Sequence, residues 1–308
     1  MKRRGLFWMA WATLAAISCG CGGAIKNTRT TPAGQKAVAL EATREELIDR
    51  YNSVADGVQS FNATAQLKAS TGSQYSGVID EYHEVKAFLL ASRPANIRVI
   101  GQAQVIGKTI FDMASDAETF RVSIPSKNKF LVGPIAVERA SKKPIENLRP
   151  QHLLDAILWS EIRKQEPVLF EEFNDEIGRY YVLTVLRGGY QTEILRKIWF
   201  NRADLQVSRI EEFGPQGLLV SDIRYSDWEP VAGGQSTAAT TENASPAGGI
   251  AQFPRAIHVD RVHDDYQLEL QVTKLTLNED LPADRFKLDQ PQGSELVRVG
   301  DDTGDKQE

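Results

Sequence analysis

The sequence predicts an α+β fold in which one long antiparallel sheet carries two helices. Three observations lead there. Apolar and polar residues alternate over most of the chain, as in "FNATAQLKAS", where Phe61, Ala63, Ala65, Leu67 and Ala69 share one face. The alternating runs follow one another through short turns rich in Gly, Asn, Asp and Pro, the pattern of consecutive hairpins. Two segments, near 43–59 and 150–165, switch to helical spacing.

The chain opens with a cationic stretch, "MKRR", and an apolar one, "GLFWMAWATLAAI", followed by Ser18, Gly20, Gly22 and Gly23. That layout is a secretory signal over 1–18, too short to span a bilayer as a helix. The only two cysteines, Cys19 and Cys21, come directly behind it. A disulfide between positions i and i+2 is badly strained. Two cysteines make half a zinc site, and no Cys or His partner follows nearby. Their placement instead resembles the lipobox of bacterial lipoproteins, in which a cysteine becomes the acylated N-terminus. "AAISC" fits Cys19 and "ISCGC" fits Cys21, with Cys19 preferred. Several acyl chains give stable anchoring where one is marginal. Neither cysteine is followed by Asp, which in the enterobacterial sorting rule points to the outer membrane.

Residues 19–40 are small, polar and aperiodic, and read as a flexible tether. Thr43 and Glu46 have capping-box spacing, and Leu47, Tyr51, Val54 and Val58 recur at helical intervals, so a helix runs from there to about Gln59. Strands follow in "FNATAQLKAS", "YSGVIDEYHEVKAFLLAS", "NIRVIGQA", "KTIFDMAS", "ETFRVSIP" and "KFLVG". Pro150 marks the start of a second helix, with Leu153, Leu154, Ile157, Leu158 and Ile162 on its apolar face, and Pro167 ends it. Strands resume from Val168 to Pro230. Residues 230–249 are low in complexity and read as a flexible loop. The last strands are "AIHVDRVHDD" and "YQLELQVTKLTLN", and 300–308 is a disordered tail. The body, 41–299, is a single domain.

Net charge is −5, and −8 without Lys2, Arg3 and Arg4. An acidic body with no basic stripe has no electrostatic reason to bind nucleic acid. The chain has no G-x-S-x-G, P-loop, H-E-x-x-H or G-x-G-x-x-G motif. His258, Asp260 and the His263-Asp264-Asp265 turn hold metal-ligand residue types, but they fit a polar strand face better. We therefore expect no enzyme activity, no catalytic residues, no metal and no cofactor.

The apolar residues are more informative. Phe61, Leu67, Ile97, Val99, Phe111, Met113, Phe120, Val122, Ile124, Phe130 and Phe200 (or Trp199) are expected on one sheet face. A sheet of about ten strands curls, and two helices cover only part of its concave side. Those residues are candidates for lining an apolar cavity.

The order of elements is informative too. A lipobox and tether lead into "SVADGVQSFNATAQLKAS", then "YSGVIDEYHEVKAFLLASRPANIRVIG" and "KTIFDMASDAETFRVSIPSKNKFLVG", closing on "LNEDLPADRFKLDQPQG". Over residues 41–293 this resembles the LolA/LolB superfamily of periplasmic lipoprotein carriers and receptors, and most of all its uncharacterised outer-membrane lipoprotein branch. The resemblance implies an incomplete β-barrel, a strongly curved antiparallel sheet with helices covering its concave face. It implies a hydrophobic interior that takes acyl chains of lipids or lipoproteins for transfer or insertion at the outer membrane. The chain would face the periplasm from a lipid anchor. The alternative is a structural lipoprotein with a filled core, docking on an envelope protein partner.

Overall fold

The computed structural model describes residues 38–73, 78–135, 149–189, 192–231 and 252–299. Cys19, Cys21, the signal, nearly all of the tether, residues 232–251 of the loop region and the 300–308 tail lie outside the described residues. Those from Ala39 onward belong to one compact unit.

Helix α1 spans Arg44–Gly57. It starts where the sequence places it: the Glu46 amide donates to the Thr43 hydroxyl, and the Thr43 amide donates to the Glu46 carboxylate at 2.8 Å. Both groups are otherwise orphans of the first turn. Leu47, Tyr51 and Ala55 form its buried stripe. Helix α2 spans only Pro150–Ile157, shorter than its apolar pattern predicts. Leu158 and Ile162 are buried as expected, and Trp159, whose spacing puts it at the rim of the apolar face, is buried too, all from a non-helical segment.

The strands form one sheet. Its first half comprises β1 (Ser60–Ser73), β2 (Val78–Glu81), β3 (Val85–Ser92), β4 (Asn96–Gln102), β5 (Thr109–Ser115), β6 (Thr119–Ile124) and β7 (Lys129–Pro134). The second comprises β8 (Val168–Asn174), β9 (Arg179–Arg187), β10 (Glu193–Asn201), β11 (Val207–Phe213), β12 (Leu219–Pro230), β13 (Gln252–Arg261) and β14 (Tyr266–Leu277). A last short strand, β15, spans Glu295–Arg298. The order is β15-β7-β6-β5-β4-β3-β1-β14-β13-β12-β11-β10-β9-β8, with β2 beside β1. The sheet is open and curved: β15 and β8 are its two ends. Every pairing is antiparallel except β15 with β7. The architecture is α+β, with both helices burying their apolar faces against the sheet's concave side.

Strand alternation sorts residues between two faces. The concave face of β1 carries Phe61, Ala63, Ala65 and Leu67, all buried; Ile97 and Val99 of β4 and Leu89 of β3 join them. Register then carries the face outward, because directly paired residues share it. Met113 pairs with Val122, and Ser115 with Phe120.

Phe130 breaks the expectation. It pairs with Ser123, whereas Val122 pairs with Leu131, so Phe130 lies on the opposite, outer face. Ile124 and Lys129 pair across the Pro125–Lys127 turn, which fixes the parity. Trp199 is likewise outward, while its neighbour Phe200 is buried inward.

Phe130 is buried because the chain returns across that face. Between β14 and β15 the backbone runs over the outside of the first half. Glu279 accepts from Asn62 Nδ2 at 2.6 Å, the Arg285 carbonyl from Arg98 at 3.0 Å, and the Gly293 carbonyl from Asn128 at 2.9 Å. Buried Ala114, Phe130 and Phe286 fall outside the main core cluster.

On the outer face of the second half, Asp222 is 4% exposed. Arg209 grips it through both oxygens at 2.7 and 2.9 Å, and Arg224 adds a third contact at 2.7 Å. Removing Asp222 takes away three charge-assisted bonds and leaves Arg209 with Glu211 alone, at 3.0 Å. Asp222→Ala is expected to destabilise the fold by about 3 kcal/mol, read as a shift in the urea midpoint. Thr43→Ala, losing only a cap, should cost about 1 kcal/mol.

Candidate functional site: the helix-covered concave face

The concave face is apolar at its centre and polar at one rim. At the centre, the residues following α2 are held by side chains from three directions. A helix leaves its last carbonyls without intrahelical donors, and here the donors are supplied. The Ala156 carbonyl accepts from the Tyr225 hydroxyl at 3.0 Å, and that of Trp159 from Arg93 at 2.7 Å. The Ser160 carbonyl accepts from the Tyr51 hydroxyl at 2.9 Å, and that of Glu161 from Arg196 at 2.6 Å. Asn52 acts as a backbone mimic: its amide donates to the Ile162 carbonyl at 3.0 Å and accepts the Ile162 amide at 2.8 Å.

Trp159 is the keystone of this seam. Its ring stacks on Tyr51 at 5.3 Å and meets Tyr225 and Trp228 edge-on at 5.1 and 6.2 Å. Burial pushes the hydroxyls of Tyr51 and Tyr225 well above their usual range, so both remain donors.

The polar rim is built by α2 and the facing strands. Gln151, His152 and Asp155 form one stripe of the helix, and the other stripe, Leu153, Leu154 and Ile157, is buried. Nδ1 of His152 is hydrogen-bonded to the Tyr266 hydroxyl, and the two rings stack at 5.9 Å. Glu212 pairs with Arg196 and Ser221, and Arg261 with Tyr266. These are inward positions, where alternation calls for apolar residues.

The electrostatics follow from enclosure. Asp155 has surface open to solvent, yet protein crowds it on most sides. That desolvation pushes its carboxyl up to about 7, with Glu212 adding to the rise and Gln151 and Arg261 opposing it. Glu212 is raised by burial, against the pull of Arg261 and Arg196. Burial, Arg261 and Arg149 hold His152 well below its usual value. The rim therefore sets two carboxyl groups whose protons are held more tightly than usual beside the guanidinium groups of Arg196 and Arg261.

Phe61, Leu67, Ile97, Val99, Met113 and Phe200 lie on the concave face within one core cluster, and Phe111 and Val122 pack partly buried against it. Phe120 shares the face, under the Arg149 guanidinium at 4.3 Å. Ile124 is half-buried at the end of β6. Phe130 is not with them. The centre is occupied by side chains, among them Tyr51, Phe61, Phe253 and Leu153. Two concavities among the described residues open on the other face. The larger, about 520 Å³, is lined by polar groups including Lys68, Arg224, His258 and Glu269. The rim residues were missed from sequence. Their signal was charge at inward parity, in Arg196, Glu212 and Arg261, together with the 151, 152, 155 stripe.

The rim makes a pH prediction. Asp155 binds its proton more tightly folded than unfolded, so its contribution falls as pH rises from about 4 to about 7. His152 binds its proton less tightly folded, so its contribution falls as pH drops below about 6.5. The two slopes oppose each other in the wild type. Asp155→Asn should shift the balance toward the His152 slope, with Glu212 still opposing it, and raise stability at pH 8 by about 1 kcal/mol, a figure discounted for solvent access. Urea melts from pH 4 to 8 read both effects.

No family model and no curated protein matches the chain. Among solved structures it is similar to a LolA superfamily protein from Nitrosomonas europaea, at 14% identity and a TM-score of 0.46, covering 80% of this chain and 99% of that one. It is also similar to a Vibrio parahaemolyticus domain described as outer membrane lipoprotein-sorting, at 12% identity and a TM-score of 0.48, covering 78% and 94%. A DUF1329 family protein from Desulfovibrio piger stands at 14% and 0.46, covering 79% and 95%. Likeness at this level says nothing of function, and the functional reading rests on the chain's own geometry.

Proposed function

We propose that this chain binds the acyl chains of a lipid or lipoprotein on the concave face of its open sheet, with α2 as the displaceable cover. It would act as an envelope lipoprotein, held through Cys19 (alternatively Cys21) at the outer membrane and facing the periplasm. No bond is made or broken; the work is hydrophobic transfer. The observation that carries the reading is the cover itself. A wide apolar face is closed at its centre by an eight-residue helix and a short non-helical segment. Moving that cover exposes a continuous apolar bed flanked by Arg149, Arg196 and Arg261, cations placed for an anionic head group.

One observation favours a second reading. The centre of the concave face is filled by aromatic and aliphatic side chains, as in a lipoprotein that serves an envelope complex through its surface and carries no lipid.

A reversible lock separates the two. Ser115 on β5 and Gln151 on α2 touch through their side chains at 3.5 Å. In a chain with Cys19 and Cys21 replaced by serine, Ser115→Cys with Gln151→Cys gives a disulfide that pins α2. Uptake of a pyrene-labelled fatty acid is expected to fall about tenfold or more when the lock is oxidised and to return on reduction. Uptake that ignores the lock would sink the mobile cover. No uptake in any form, with no lipid found by native mass spectrometry, would favour the filled-core reading.

A further inference from the structure

The two ends of the sheet are finished differently. One end is β15, four residues long, carrying Glu295 and Arg298. Short, charged edge strands are how proteins prevent unwanted strand pairing. The other end is β8, seven residues reading Val-Leu-Phe-Glu-Glu-Phe-Asn. It has no proline, lysine or bulge, and among the described residues no strand pairs with its outer side. Its large apolar side chains are open to solvent: Leu169 is 52% exposed, Phe170 39% and Phe173 43%.

The backbone of β8 is set for pairing. The Pro167 carbonyl accepts from the Leu186 amide, and the Asp175 amide donates to the Gly178 carbonyl. In an antiparallel ladder alternate residues turn to the same partner. Leu169, Glu171 and Phe173 therefore spend their main-chain groups on β9. Val168, Phe170, Glu172 and Asn174 turn theirs outward, four amides and four carbonyls in ladder register.

The side chains say what kind of strand fits. On the sheet's outer face β8 presents Leu169, Glu171, Phe173: apolar, acidic, apolar. On the concave face Glu172 is already paired with Arg202 at 2.8 Å, so Glu171 is the carboxylate left for a partner. A second copy of β8 fits poorly. The fullest antiparallel overlap sets Glu171 opposite its own copy, and like charges directly opposite are destabilising. A slipped register shortens the ladder or sets carboxylates against apolar side chains.

We propose that the free edge of β8 is a docking site for an extended segment of another protein, added as a further strand, whose outer-face residues read apolar, basic, apolar at alternate positions. Main-chain bonds supply affinity, and the Glu171 charge with its flanking Leu169 and Phe173 supplies selectivity. The site is distinct from the α2 cover: it is a main-chain edge at the end of the sheet.

The probe is a labelled nine-residue peptide with valine, lysine and valine at alternate positions and threonine between them. Its twin carries glutamate in place of lysine. Fluorescence anisotropy with the full chain should show the lysine peptide binding about tenfold or more tighter than the twin. Glu172→Pro removes an outward amide without touching the β9 ladder and should abolish binding; proline is tolerated on an edge. Glu171→Lys, an exposed change compatible with folding, should reverse the preference between the peptides. Absence of binding to either peptide at about 1 mM, the weak end of specific affinity, overturns the proposal. So do equal affinities for the two. A chain dimer in sedimentation that Glu172→Pro dissociates would overturn it too, assigning the edge to a second copy.

Discussion

Everything in the sheet depends on the pairing of β1 with β14. The register runs from Phe61 with Leu277 to Thr71 with Tyr266, joining the first strand to the last long one. Each half alone is a chain of local hairpins whose ordering entropy is modest. The β1–β14 ladder closes a loop of some two hundred residues, and loop closure grows only slowly with length. What makes the closure worthwhile is that both strands are half-buried along their whole length. Ala63, Ala65 and Leu67 meet Leu275, Val272 and Leu270 across it. Asn278, just past β14, accepts the amides of Gln59 and Ser60 and donates to the Gly57 carbonyl. The end of α1 is thus tied to the same seam. A fold with such distant central contacts is expected to form slowly relative to its hairpins.

Joining two meanders through their middle gives a wide sheet with free ends. Curvature brings the apolar faces of both halves toward the same helices, so Trp159 meets Arg93 from the first half and Tyr225 and Trp228 from the second. It also leaves β15 and β8 apart. The first end is finished by a strand that arrives over the outer face, where the Arg285 carbonyl takes a bond from Arg98 and Phe286 is buried on the way. Among the described residues nothing pairs with the second end. The contrast between the ends, more than any single exposed side chain, marks β8 as unfinished.

Local features were legible in the sequence. The α1 cap is set by Thr43 and Glu46 three residues apart, and each strand's faces by strict alternation. Two kinds of information were not local. Parity across a turn depends on which residues pair, so Phe130 could be assigned to either face until the Ile124–Lys129 pairing was known. Helix length depends on where the carbonyls find partners. The apolar pattern of 153–162 is consistent with a helix, but Tyr51, Asn52, Arg93 and Arg196 satisfy those carbonyls in another conformation. Strand β15 pairs in parallel with a distant edge, which leaves no hairpin signature. Of the rim, the inward parity of Arg196, Glu212 and Arg261 was readable in principle, because a charge at a core position asks for an explanation.

The seam over α2 bears on how such a cover could move. Each side-chain bond to a carbonyl of 156–162 is exchanged for water on opening, so each contributes only about 1 kcal/mol net. Together they define where the segment sits more than how strongly it is held. Holding comes from Leu153, Leu154, Ile157 and Trp159, each worth about 1.5–3 kcal/mol by burial. That is the one contribution an acyl chain can replace in kind, since the sheet does not distinguish a leucine from a methylene chain. A bound chain would shield from water the apolar surface that α2 leaves bare, and the freed carbonyls would find solvent at the rim. A cover placed by its polar bonds and held by its apolar packing is one with which an apolar cargo, on the function proposed above, would compete directly.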